Sequence, residues 1–147
     1  MSEALEVARE LFDQSSRVRD PRGREVDLLD PETLAVLFDF FAPEVEIHED
    51  PSFPEAGVYR GKDAIREYMS QFTESFDSFS FEAEDFIDLG DDRVLILFRL
   101  RSRGTESGAA VEARPGWIFT IRARKVLRME AYLDRGEAFA AAGLETR

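Results

Sequence analysis

Residues 78–101, SFSFEAEDFIDLGDDRVLILFRLR, are the stretch that decides the fold, because hydrophobic residues alternate with polar or smaller ones along most of it. Alternation with a period of two is typical of β-strands that bury one face. The Gly-Asp-Asp sequence at 90–92 divides the stretch and predicts a tight turn between two long strands. Phe86 and Ile87 are adjacent and break the alternation, which predicts a bulge or bend. These residues therefore predict a long hairpin.

The sequence after this hairpin predicts two further strands and a closing helix. The segment at 104–108 closes the hairpin that leads into them. The predicted strands and helix cover residues 111–122, 125–133 and 135–142. Pro115 and Gly116 interrupt the first of these strands, because proline has no N–H to donate to a neighbouring strand. Gly143 predicts the end of the helix.

The sequence before the hairpin predicts three helices and one short strand. Hydrophobic residues recur there at intervals of three and four residues, as they do on one face of a helix. The predicted helices cover residues 4–12, 31–41 and 61–76, and the predicted strand covers residues 44–50. Pro43 is expected to end the second helix, and residues 14–30 and 51–60 are expected to form loops.

Helices followed by hairpin-linked strands predict an α+β fold, with a mostly antiparallel sheet and helices covering one of its faces. A chain of 147 residues is long enough for one core and too short for two, so residues 1–147 are predicted to form a single domain. The 13 phenylalanines predict either a phenylalanine-rich core or an enlarged apolar cavity.

The chain is acidic, with 31 acidic residues, 19 basic residues and a net charge of −12. A negative field repels phosphate backbones and anionic lipids, so neither nucleic acid nor a membrane is an expected partner. The absence of cysteine excludes disulfides and thiol catalysis, and a single histidine argues against zinc, so no metal and no cofactor are predicted. The N-terminus lacks a basic segment followed by an apolar one, and we expect a soluble cytoplasmic protein.

The segment His48-Glu49-Asp50-Pro51 holds the only histidine and two carboxylates where a predicted strand gives way to a loop. Side chains alternate along a strand, so His48 and Asp50 are predicted to point the same way. In a pocket, His48 would shuttle protons near neutral pH and Asp50 would stabilise its charged form. The alternative is structural, because His48 could satisfy a backbone carbonyl and Asp-Pro is an ordinary turn starter.

The order of these segments resembles the NTF2-like superfamily, in particular its SnoaL-like and ketosteroid-isomerase-like branch. The resemblance is carried by the three helices, the Glu-Asp-Pro strand end, YRGKDAI at 59–65, the long meander, KVLRMEA at 125–131 and the terminal helix. It covers nearly the whole chain apart from residues 14–30. The resemblance implies a cone-shaped domain, in which a curved sheet wraps the helices around a deep apolar pocket, usually as a homodimer. It implies no single reaction, because members include isomerases, polyketide cyclases, dehydratases and epoxide hydrolases.

Compared residue by residue with the ketosteroid isomerases, the chain has a counterpart of the general base but none of the oxyanion donors. Asp50 falls on the general base of the ketosteroid isomerases. Gly116 stands where those enzymes have a proton-sharing aspartate, and Leu11 or Phe12 stands where they have a tyrosine. Steroid isomerisation is not expected, because a developing enolate would lose its main electrostatic stabilisation. A polyketide cyclase needs an acid/base Asp or His in an apolar pocket, which His48 and Asp50 could supply.

A curved sheet over the third helix is expected to leave an apolar cavity for a flat ligand. The residues predicted to contact that ligand through apolar or aromatic side chains are Tyr68, Met69, Phe72, Trp117, Met129 and Leu133. Arg99, Arg101 and Arg114 could bind a carboxylate or enolate, or could be solvated charges at a strand edge.

The predicted function is that of a small-molecule pocket protein, with isomerase, cyclase or lyase chemistry on an apolar, carbonyl-bearing ring compound. Asp50 would take a proton from the carbon next to the carbonyl, and His48 or an arginine would support the oxygen. The alternative is a non-catalytic ligand-binding or assembly domain. A homodimer is expected through an outer face that carries Trp117, Phe119 and Ile121, which share one parity.

Overall fold

The computed structural model describes residues 2–17, 38–50, 57–67, 76–104 and 110–144. Among these residues, the helices α1 (Glu3–Arg17), α2 (62–67) and α3 (Arg135–Ala141) accompany one seven-stranded sheet, and residues 38–39 are the helical residues before the first strand. Within the described ranges, no helix is both long enough and apolar enough to cross a membrane.

The strands are β1 (Phe41–His48), β2 (Val58–Arg60), β3 (Phe76–Gly90), β4 (Arg93–Gly104), β5 (Ala110–Ala113), β6 (Gly116–Arg122) and β7 (Lys125–Tyr132). They lie in the order β2-β1-β7-β6-β4-β3, and β5 pairs with the second half of β4. β1 and β7 are parallel, and the other pairs are antiparallel. The predicted α+β fold with a mostly antiparallel sheet is therefore confirmed.

The long hairpin predicted over 78–101 is present as β3 and β4. Its turn residues Asp91 and Asp92 both have positive φ, 53° and 64°, the conformation of a turn whose twist matches that of the flanking strands. The predicted bulge is also present. Ala83 pairs with Phe98, and Asp85 pairs with Leu97. Two steps along β3 therefore correspond to one step along β4, and Glu84 is the extra residue.

Several predicted boundaries are wrong by a few residues. The first strand begins at Phe41 and ends at His48, so Pro43 lies inside β1 and does not end the preceding helix. The pairing of β1 with β7 shifts register between Phe41 and Glu46, a shift that accommodates a residue without an N–H. The predicted loop at 51–60 contains the short strand β2. Phe76 begins β3 and does not end a helix.

The inner face of the sheet, defined here as the face packed on α1, holds the larger core. Side chains of α1 that are at most 2% exposed, among them Val7, Ala8 and Leu11, pack in one cluster with alternate residues of the strands. The strand residues of that cluster include Val94, Ile96, Phe98, Phe119, Ile121, Ile47 and Met129. Burial of this many apolar side chains is the main force that holds α1 on the sheet.

The outer face, defined as the opposite face, is covered by α3. Leu95, Leu97 and Ile118 alternate with the inner-face residues and pack against Ala138 of α3. The expectation that the helices cover a single face is therefore wrong. The apolar residues on both sides of β4 require cover on both faces, and the C-terminal helix supplies it on the outer one.

The assignment of Trp117, Phe119 and Ile121 to an outer, dimer-forming face is also wrong. Phe119 and Ile121 are 2% and 1% exposed in the inner-face core, and Trp117 packs against that core. Shared parity shows only that three side chains lie on the same face, and α1 decides that this face is the inner one. The homodimer itself stays a prediction, without an assigned surface.

Pro115 breaks the ladder between β4 and its neighbours without shifting the register. Leu97 pairs with Gly116 of β6, and Leu100 pairs with Ala113 of β5. Both pairs are three residues apart on each strand, so β5 and β6 pair with β4 in the same register. Phe98 N donates to Pro115 O at 3.0 Å, and Pro115 has no N–H to return the bond. Arg135 supplies the missing donor, because its guanidinium lies 2.9 Å from Phe98 O.

Gly116 is the point of closest approach between the sheet and α3. A Cβ atom at Gly116 would lie 2.7 Å from the Cβ of Ala138 and 3.4 Å from Leu97 Cδ2. The Cβ of Ala138 moves only with its backbone, so a side chain at Gly116 would displace the helix. The Pro-Gly pair thus has two separate roles: Pro115 interrupts the hydrogen-bond ladder, and Gly116 leaves room for α3 to pack on the sheet.

We expect Gly116→Ala to lower the free energy of unfolding by about 1–3 kcal/mol, because the added methyl group overpacks the contact with α3. Urea denaturation measures the change. Adding Ala138→Gly should restore part of the loss, since it removes the atom in conflict. Gly136→Ala is the matched control, because its Cβ would meet nothing closer than 3.5 Å. A loss in the control as large as in Gly116→Ala would contradict this account.

We expect Arg135→Met to lower the free energy of unfolding by about 1–3 kcal/mol, because it leaves the Phe98 carbonyl without its donor. Pro115→Ala restores an N–H opposite that carbonyl, so Arg135→Met should cost less in the Pro115→Ala background. A double-mutant cycle by urea denaturation measures this coupling. Arg128→Met is the control, because Arg128 is in an exposed pair with Glu130 at 3.2 Å. Equal effects of Arg135→Met in both backgrounds would refute the idea that the Arg135 guanidinium replaces the N–H that Pro115 lacks.

Candidate functional site

The carboxyl ends of β1 and β7 lie side by side because these two strands run parallel. His48 pairs with Glu130, so the chain beyond His48 runs next to the last residues of β7. Asp50 follows β1 by two residues and lies beside the junction between β7 and α3. The parallel pairing therefore brings together two segments that are more than eighty residues apart in sequence.

Asp50 is 2% exposed and is the one buried charged side chain among the residues that the structure describes. Its Oδ2 accepts a hydrogen bond from Leu133 N at 2.8 Å. A buried carboxylate is costly unless it is hydrogen-bonded, so this bond is part of what makes the position tolerable. One carboxylate oxygen thus links the end of β1 to Leu133, the residue that follows β7.

Glu49 has a different role from its neighbour. Its N–H donates to Gly57 O at 3.1 Å, and Gly57 N donates back to the Glu49 carboxylate at 3.2 Å. These bonds close the hairpin between β1 and β2. Glu49 therefore holds the strand connection, while Asp50 points its carboxylate at β7.

His48 lies on the outer face, away from the aromatic interior. Ile47 belongs to the inner-face core, so the residues on either side of it, Glu46 and His48, lie on the opposite face. His48 Nε2 is 3.0 Å from Glu46 Oε1, and the same oxygen is 3.7 Å from Arg60 Nε. Strand geometry ends at His48, so the alternation that predicted a shared direction for His48 and Asp50 does not reach Asp50.

Arg99 and Arg114 also lie on the outer face. Arg99 lies between the inner-face residue Phe98 and the inner-facing position 100, and it pairs with Glu112 at 2.8 Å. Arg114 stands opposite Arg99 in the register that β4 keeps with β5 and β6. Neither guanidinium is on the side of the sheet that carries the aromatic residues.

Three aromatic rings form a continuous surface on the inner face. The ring centroids of Trp117 and Phe119 are 6.3 Å apart with an interplanar angle of 26°. Phe98 meets Trp117 edge-on at 6.1 Å and lies 6.4 Å from Phe119. Met129 lies on the same face and is 4% exposed. Phe98 and Phe119 are buried, and Trp117 is half-buried at the end of the row.

Asp50 and Trp117 lie at the same end of the sheet. His48 pairs with Glu130, so Asp50 is level with Tyr132, and Tyr132 pairs with the residue before Trp117. β1 and β6 are separated by β7 alone, which corresponds to about 10 Å for two strand spacings. A buried carboxylate and a half-buried indole therefore lie at the same end of the sheet.

The remaining residues predicted to contact a ligand have different outcomes. Leu133 is 49% exposed, so its side chain does not lie in the interior, and its backbone N–H is the part that meets Asp50. Tyr68, Met69 and Phe72 lie outside the described residues. Among the described residues, no group of three or more His, Asp or Glu side chains is arranged to hold a metal ion.

Two tyrosines near this end of the sheet were not predicted to take part. Tyr59 pairs with Ile47 across β2 and β1 and packs against the inner-face core. A strand of three residues is too short to show alternation, so the sequence carries no signal for it. Burial raises the pKa of Tyr132, and the carboxylate of Glu130 adds to the rise. Tyr132 therefore keeps its hydroxyl proton at neutral pH.

Comparison with known proteins gives matches in sequence and in structure. A protein-family model described as a SnoaL-like domain matches residues 23–129. No curated protein sequence matches the chain significantly.

Solved structures with the same fold have low sequence identity to the chain. An NTF2-like protein from Burkholderia thailandensis E264 has 23% identity and a TM-score of 0.71, with 97% of this chain and 98% of that chain covered. A candidate SnoaL-like polyketide cyclase from Jannaschia sp. CCS1 has 15% identity and a TM-score of 0.68, with 97% and 93% covered. TerC, co-crystallised with polyporic acid, has 15% identity and a TM-score of 0.68, with 97% and 99% covered.

We expect Asp50→Ala to lower the free energy of unfolding by about 1–3 kcal/mol, because Leu133 N loses its acceptor in a partly buried position. Asp50→Asn should cost less, since the amide oxygen can still accept that bond. Thermal or urea denaturation measures both. Asp63→Ala serves as the control, because the Asp63 side chain is fully exposed. Asp50→Ala with the stability of the control would show that the bond to Leu133 contributes nothing.

Proposed function

The chain belongs to the SnoaL-like domain family, and we propose that it binds a small, apolar, carbonyl-bearing ring compound against the inner face of its sheet. We propose further that it acts on this compound by acid/base chemistry of the isomerase, cyclase or lyase type, with Asp50 as the general base. The family assignment and the NTF2-like fold confirm the resemblance inferred from the sequence.

The observation that carries this proposal is a buried carboxylate at the same end of the sheet as a half-buried tryptophan of the inner face. Asp50 is 2% exposed and lies at the same end of the sheet as the half-buried Trp117. The half-buried ring of Trp117, backed by the buried Phe119, offers a flat apolar surface on which a ring compound could stack.

In the proposed reaction, Asp50 removes a proton from the carbon next to the substrate carbonyl. The carboxylate then holds that proton and returns it to another carbon or to a leaving group, so the protein ends the cycle unchanged. Tyr59 is an inner-face residue on the strand next to β1, and its hydroxyl could support the substrate oxygen. His48 has no part in this scheme, because it faces outward and is bonded to Glu46.

The steroid reaction is not part of the proposal. Gly116, which stands where the ketosteroid isomerases have an oxyanion donor, is packed against α3 on the outer face. Leu11, one of the two candidates for the second donor position, is an apolar residue, 1% exposed, in the inner core. An enolate formed when Asp50 removes a proton from a substrate would therefore need hydrogen-bond donors other than those of the isomerases.

Two neighbours in fold are consistent with a small-molecule ligand. One is named as a candidate polyketide cyclase, and the other, TerC, was co-crystallised with polyporic acid. At 15% identity these likenesses show the fold alone, so the ligand class for this chain rests on its own inner-face residues.

A non-catalytic ligand-binding domain is the second candidate, and one observation favours it. Asp50 Oδ2 accepts the N–H of Leu133 at 2.8 Å, which is the arrangement of a carboxylate that holds two segments together. In this reading the inner face binds the same kind of compound, and Asp50 contributes to stability only.

The chain offers a direct test of binding, because Trp117 is its only tryptophan and lies on the inner face. We expect 1,4-naphthoquinone, a flat carbonyl compound, to quench the Trp117 fluorescence saturably. The chain has no cysteine, so the usual reaction of quinones with thiols does not occur. Ala131→Phe, at the position paired with Trp117, should weaken the quenching by filling the inner face. Arg128→Phe, on the outer face of the same strand, is the control. Linear, unsaturable quenching would contradict a ligand site on the inner face.

Asp50→Asn separates the two candidates once a carbonyl-bearing ring compound that binds the protein has been found by screening. A general base predicts unchanged affinity and a loss of kcat of at least about a hundredfold, the usual size of an acid/base contribution. The binding-only candidate predicts unchanged affinity and no turnover in either protein. Retained turnover in Asp50→Asn would rule out Asp50 as the base.

A further inference from the structure

Three arginines form a cationic patch on the outer face of β4 and the β5–β6 line. Arg99 and Arg101 are alternate residues of β4, so they share a face. Arg114 stands opposite Arg99, and Glu112 stands opposite Arg101. We call Arg99, Arg101 and Arg114 the outer arginine patch. Three guanidinium groups surround one carboxylate in a chain whose net charge is −12.

The pairing inside this patch is unfavourable for the fold alone. Like charges directly opposite each other on antiparallel strands destabilise the sheet, and Arg99 and Arg114 occupy such positions. Glu112 and Glu82, which stands opposite Arg99 on β3, compensate this repulsion only in part. A local cost of this kind is typical of a surface that serves a function.

Glu112 neutralises only part of the patch. Its carboxylate accepts a hydrogen bond from Arg99 Nε at 2.8 Å, and that bond is the main reason why the pKa of Glu112 is lowered. The charges of Arg101 and Arg114 lower the same pKa by smaller amounts, which shows that both guanidinium groups are near that carboxylate. The side chains of Arg101 and Arg114 are exposed. Glu82 of β3 stands opposite Arg99, so three arginines share this part of the sheet with two glutamates, and the local excess is one positive charge.

The backbone under the patch is held in place. Arg135 Nε donates to Arg114 O at 3.2 Å, and its guanidinium also bonds Phe98 O and the carboxylate of Glu84. These bonds fix the two strands at the proline break, directly beneath Arg99 and Arg114. Arg135 thus ties the backbone that carries Arg114 to β4 and to α3.

We propose that the outer arginine patch binds a small soluble oxyanion, a phosphate or carboxylate group carried by a low-molecular-weight compound. The planar guanidinium fork matches both groups with two parallel hydrogen bonds. The Debye length is about 8 Å at physiological salt, so a bound anion responds to the local arginines more than to the distant acidic residues. The site is independent of the proposed inner-face function, because the two lie on opposite faces of the sheet.

The test is an NMR titration of the full chain with inorganic phosphate, at constant ionic strength maintained with chloride. We expect saturable shifts of the amide signals at 99–101 and 112–114, and we expect Arg101→Gln/Arg114→Gln to weaken phosphate binding by about tenfold or more. The control is Arg122→Gln/Arg128→Gln, which removes the same charge from two exposed arginines that pair with Asp92 and Glu130. The control should bind phosphate as the unaltered protein does.

A second arm with succinate and a third with phosphatidylglycerol vesicles identify the source of the anion. Saturable binding of phosphate or succinate at the patch supports the proposal. Shifts that chloride reproduces, an equal loss in the control variant, or binding to vesicles without saturable binding of either small anion would overturn it. Melting temperatures of both double variants show whether any loss reflects unfolding.

Discussion

The parallel pairing of β1 with β7 is the contact on which the rest of the structure depends. It is the one parallel pair within the described part of the sheet, and it joins the N-terminal part of the chain to the last strand. Parallel strands end at the same edge, so Asp50 beyond β1 meets Leu133 beyond β7. An antiparallel pairing at this place would have put Asp50 at the far end of β7. The candidate base therefore owes its position to strand direction.

The same sheet separates two kinds of chemistry by face. The inner face carries apolar and aromatic side chains against α1. The outer face carries the Glu46–His48 pair and the arginines of the outer patch, and α3 covers its apolar part. A strand turns successive side chains to opposite faces, so β4 can contribute Phe98 to an aromatic surface and Arg99 to a cationic one.

The attachment of α3 shows how a break in the sheet is used. Pro115 removes a ladder N–H, Gly116 removes a side chain, and both changes occur where α3 crosses. Arg135 at the start of α3 then donates to the carbonyl that Pro115 leaves without a donor. Asp134 caps the same helix by accepting the N–H of Gly136 at 3.0 Å. Pro115, Gly116 and the Asp134-Arg135 pair, which the fold brings together, thus form the contact between the sheet and α3.

The sequence by itself determined the fold class, the long hairpin with its turn and bulge, and the place of Asp50 at a strand end. These features are local, because alternation, turn residues and a Glu-Asp-Pro segment act over a few positions. Only the tertiary structure decided which face is inner, where His48, Arg99 and Arg114 lie, and that Trp117 faces the core. Alternation shows that neighbours lie on opposite faces, but it does not show which face a helix covers. That choice depends on contacts of α1 and α3 with strands far away in sequence, where burial of the larger apolar area decides.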